Sequence, residues 1–174
     1  WKLVQATLPT GSAFVDYVRY PDLNRGGERG HAYGAILILP EGAPQWIPLG
    51  TEEDLQFWLG VLRARLEYRT WVLTSPNSAN PPLLRMGSAL RGLHDKFWAP
   101  VAAYLPAGTE TVGISPDAGL NFVSFAVLLD GENCFLAEKF RQLVYYTSAR
   151  DLLLKDERPP MQEGPWAVVA VPEF

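Results

Sequence analysis

The run TVGISPDAGLNFVSFAVLLDG, residues 111–131, carries two charged side chains, Asp117 and Asp130. A segment so poor in charge has to be covered by other elements, so it belongs at the centre of a folded domain. It is interrupted once, by Ser-Pro-Asp-Ala-Gly. Pro116 and Asp117 suit a β-turn, and Gly119 is available for a positive φ. The run therefore reads as a strand over 110–117, a tight turn, and a buried segment. The open question is whether that turn is a catalytic corner or a fixture of the core.

The flanking sequence supplies what would cover it. GSAFVDYVRY (11–20) is rich in β-formers and largely apolar on both faces, which predicts a central strand. A polar, Gly-rich loop over 20–31 leads to a second strand, AYGAILILP (32–40), and a short third, WIPLG (46–50), together a β-meander. Thr51 and Asp54 have the spacing of a capping box, and Leu55, Trp58, Leu59, Leu62 and Leu66 then recur at helical spacing. Acids at 52–54 and arginines at 63, 65 and 69 suit the helix dipole. TSPNSANPP (74–82) is a loop. A second helix is expected over roughly 83–104, with Leu90, Leu93, Phe97, Trp98 and Val101 on one stripe. CFLAEKF and QLVYYT read as two further strands, SARDLLLK (148–155) as a short helix with Ser148 at its N-cap, and WAVVAV (166–171) as a buried strand. Strands mixed with helices long enough to cover a sheet give an α/β, three-layer reading with one domain over 1–174.

Composition narrows the function classes. The chain is 48% apolar with 15 Gly and 15 Pro, globular rather than disordered. Its net charge of −4 offers no broad attraction to phosphate backbones, so nucleic acid is not an expected partner. No run of about 18 apolar residues is present, so no membrane span is expected. A single cysteine rules out an internal disulfide framework and suits an intracellular, cytoplasmic setting. The chain opens on Trp1 without a signal-peptide pattern and stops on a strand-like run, which reads as a piece of something longer.

Residue chemistry offers few candidates. Cys134 lies in a predicted strand after a Gly-containing turn and reads as a small apolar filler. His94 falls on the apolar stripe of its helix and reads as a core residue, while His31 ends a polar loop. Two histidines and one cysteine without close spacing do not suit zinc, and no cofactor motif is present; NRGGERGHAYG lacks the context of a phosphate loop. Asp117 at the turn is expected to bond its own backbone. Asp16, between Phe14 and Val18 on a covered strand, needs a partner; Arg19 points to the other face, so Arg91 or Arg150 is expected to form a structural ion pair with it. No catalytic residue is assigned. Asp16, His94, Trp98, Pro116, Asp117 and Gly119 are structural candidates.

Five blocks in order, LPTGSAFVDYVRY, GLHDKFWAPVAAYLP, VGISPDAGLNFVSFAVL, FLAEKFRQLVYYTSARDLL and VVAVPEF, resemble the first half of a CHAT domain over essentially the whole chain. CHAT domains are similar to caspases and separase and are often found behind tetratricopeptide repeats. The resemblance implies a caspase-like sandwich, a mixed sheet with helices on both faces, incomplete here as an amino-terminal lobe. The family's catalytic His-Gly and Ser-Ala-Cys motifs do not occur in this sequence. The resemblance thus implies a non-catalytic scaffold lobe whose partners are a downstream catalytic half with a Cys-His dyad and, upstream, tetratricopeptide repeats; the protein substrate is unknown. Family members often carry Gly directly after the Asp of the turn, where this chain has Ala118. Two other readings stand beside this one: a non-enzymatic protein-protein interaction module, and a self-contained hydrolase using His94 and Asp117. A lobe without its partner half is expected to expose apolar surface and self-associate, with Trp166–Val171 as an edge.

Overall fold

The computed structural model describes residues 1–22, 30–74 and 84–154. The predicted loops within 20–31 and 74–82 and the terminal strand Trp166–Val171 fall wholly or largely outside these residues.

A short helix, α1 (Lys2–Thr7), precedes β1 (Ser12–Asp22), β2 (Gly30–Ile38) and β3 (Gln45–Thr51). The meander is as expected: β1 pairs antiparallel with β2, and β2 with β3. At the end of β3 the capping box forms. Asp54 Oδ2 accepts from Thr51 N–H at 2.9 Å and Thr51 Oγ1 accepts from Asp54 N–H at 3.2 Å, which starts α2 (Glu52–Thr74).

The second long helix is shorter than its apolar stripe predicts. α3 (Leu84–Phe97) stops at Trp98, and a separate turn, α4 (Ala99–Ala102), follows. Pro100 has no N–H to continue the ladder, and its ring conflicts with a preceding helical turn. Trp98 stays in the core at 1% exposure, edge-on to Phe125 and Phe140.

β4 (Thr111–Ser115) lies parallel to β1, and β5 (Gln142–Tyr145) parallel to β4, giving the mixed five-stranded order β3-β2-β1-β4-β5. Between them come two 3-10 turns (Ala118–Phe122 and Phe125–Val127) and α5 (Leu136–Lys139). CFLAEKF is therefore one helical turn and not a strand. Glu138 supplies the reason: its carboxylate reaches back to Phe135 N–H at 3.3 Å, while Leu136 is buried.

Alternation along β1 divides the core. Ala13, Val15 and Tyr17 face α2, α3 and α4 with Tyr33, Leu37, Leu93, Phe97 and Ile114. Phe14 faces the other way, with Ile38, Val4 of α1, and Leu152 and Leu153 of α6 (Arg150–Leu153). At α6 the cap is Ala149, and Ser148 Oγ accepts from Arg150 N–H at 3.2 Å. The fold is α/β, a mixed open sheet with helices on both faces.

Candidate functional site

The carboxyl ends of β1 and β4 carry the densest polar network around the candidate residues. The parallel ladder ends at the pair Asp16–Ser115. Beyond it the turn is tied on by a side chain: Asp117 Oδ2 accepts from Arg19 N–H at 2.8 Å. Asp117 thus bonds across to the neighbouring strand and not to its own backbone as expected, because β4 ends two residues earlier and leaves that N–H of β1 without a ladder partner.

On the helical face Arg19 Nε donates to Glu52 Oε2 at 2.8 Å, and Tyr33 O–H donates to the same oxygen at 2.9 Å. Gly119 N–H donates in turn to the Tyr33 oxygen at 3.2 Å. The first turn of α2, the strand pair and the Pro-Asp turn are thereby one hydrogen-bonded unit. Burial raises the Tyr33 hydroxyl to about 12, reinforced by its bond to the Glu52 carboxylate. Burial also pushes Glu52 up, but the bonds from Gln56, Arg19 and Tyr33 outweigh it and hold the carboxyl below its ordinary range. A high tyrosine and a low carboxyl favour a fixed charge pattern over proton transfer near neutrality.

On the opposite face Asp16 is bonded by the Ser115 hydroxyl, not by Arg91 or Arg150. Arg91 donates to Asn133 instead. Burial, and secondarily the charge of Asp117, raise the Asp16 carboxyl, while Ser115 lowers it. The strand register decides this partner: Ser115 is the residue directly opposite Asp16.

The remaining candidates lie elsewhere. His94, on α3, turns Nδ1 to Asp95 Oδ1 at 3.0 Å. His31 is in β2 opposite Pro21. Cys134 sits in the loop before α5, and its sulfur, with Asp130 and Glu132 oxygens, forms a group spanning no more than 4.8 Å. Asp130 is already engaged there. Oδ1 accepts from the amides of Glu132 (2.8 Å) and Cys134 (2.9 Å), and Oδ2 meets Lys139. The Lys139 ammonium, then the Cys134 amide, hold Asp130 at about 2. This is a loop stapled by a carboxylate, with its oxygens committed before any ion arrives. Among the described residues no hydrogen bond joins Cys134 to either histidine, or His94 to Asp117.

Two features escaped sequence reasoning. Ala118, not Gly119, takes the positive φ of the turn, at 46°. The Arg19–Glu52–Tyr33 group joins residues far apart in sequence, and only the facing of Arg19 and Tyr33 across β1 and β2 brings them to one carboxylate.

No curated protein and no solved structure matches the chain. Among protein families, the CHAT domain matches residues 87–174, half the chain and not its whole length; these residues include β4, the Pro-Asp turn, α5, β5 and α6. With that match over half its length, including β4 and its turn, the chain belongs to the CHAT domain family.

Proposed function

We propose that this chain is the amino-terminal, structural lobe of a CHAT-type cysteine peptidase. In this reading it buttresses a downstream catalytic half, which hydrolyses peptide bonds through a Cys-His dyad in the cytoplasm, and relays contacts from upstream tetratricopeptide repeats. One observation carries it: among the described residues no hydrogen bond links the Cys134 thiol to a base, while Asp117 and His94 are bonded elsewhere. Asp117 holds Arg19 N–H, His94 meets Asp95, and Cys134 lies beside carboxylates with its own N–H on Asp130. A thiol nucleophile needs a base within hydrogen-bond reach, and amide donors for the oxyanion. The network at the strand ends instead ties elements together.

A test assays the 174-residue chain on a fluorogenic casein substrate, alone and joined to the downstream half. Expected is no cleavage by the chain alone, and thiol-dependent cleavage by the joined protein. Turnover by the chain alone that disappears in Cys134→Ala overturns the reading. The exposed Trp46 (51%), Phe57 (61%) and Phe122 (83%) favour a second reading, a non-enzymatic interaction module. A joined protein without thiol-dependent cleavage selects it.

A further inference from the structure

We draw no further inference here: the strongest candidate, the groove between α1 and α6 on the second face of the sheet, lined by Gly113, Val144, Tyr146 and Leu152 beside the edge strand β5, has nothing in the structure to show what covers it.

Discussion

At the scale of single residues, the Pro-Asp turn shows a conflict between side chain and backbone. Ala118 adopts a φ of 46°, in the region that favours glycine. A non-Gly residue there carries a penalty of about 1–2 kcal/mol, partly offset by the greater entropy glycine loses on folding. Ala118→Gly is therefore expected to stabilise the chain by about 0.5–1 kcal/mol, read as a higher urea midpoint with an unchanged slope. Its neighbour behaves oppositely. A Cβ on Gly119 would lie 2.8 Å from Leu55 Cδ2 and 3.2 Å from the Tyr33 oxygen. Gly119→Ala is expected to cost about 1–3 kcal/mol by overpacking and to lower the same midpoint. If both changes destabilise equally, the turn is not held as described. The two glycine-like demands fall on adjacent residues for different reasons, one conformational and one steric.

At the scale of elements, the loop from β4 to β5 is ordered by charge as much as by burial. Asp130 accepts from two amides and Lys139, and α5 begins six residues further on. Its folded carboxyl stands at about 2, against an ordinary 3.8. A depressed acid contributes stability above its unfolded value, and that contribution is lost as pH falls from about 3.8 through about 2. Lys139→Met removes the largest cause of the depression. The Asp130 carboxyl is then expected to titrate nearer 3.8, and acid unfolding to begin at higher pH, both visible by carboxyl-carbon NMR. An unchanged titration would show that the amides alone hold the group. The break between α3 and α4 is a second element-scale event, where an apolar stripe runs on through Trp98 but the hydrogen-bond ladder does not run on through Pro100.

At the scale of the whole molecule, the family match and the folding unit have different boundaries. The matched residues begin at 87, within α3, yet β4 is flanked by β1 on one side and buries Val112 and Ile114 against β1, β2 and α2. A fragment from residue 84 onward loses the strand beside β4 and the sheet face that Phe97 and Trp98 pack on. It is expected to unfold without a cooperative transition and to bind a hydrophobic dye. Adding residues 1–74 in trans is expected to restore a two-state melt. A sharp calorimetric transition from the fragment alone would show that the folding unit does not need β1.

The meander, the capping box at Thr51 and the β4 strand were determined by the sequence alone. Each rests on local signals: alternation, a hydroxyl and carboxylate three apart, and an uncharged run. The CHAT kinship was likewise legible in the order of its motifs. Tertiary structure decided the rest. CFLAEKF has the apolar content of a strand, and Glu138 and the burial of Leu136 made it a helical turn. A carboxylate at Asp16 on a covered strand needs a partner, but periodicity along β1 says nothing of which residue β4 sets opposite it, and that residue is Ser115. Arg19, Tyr33 and Glu52 meet only because two strands pair in one register and a helix starts above them. Pattern along a chain reports which face is buried; only the pairing of strands decides which polar groups share it.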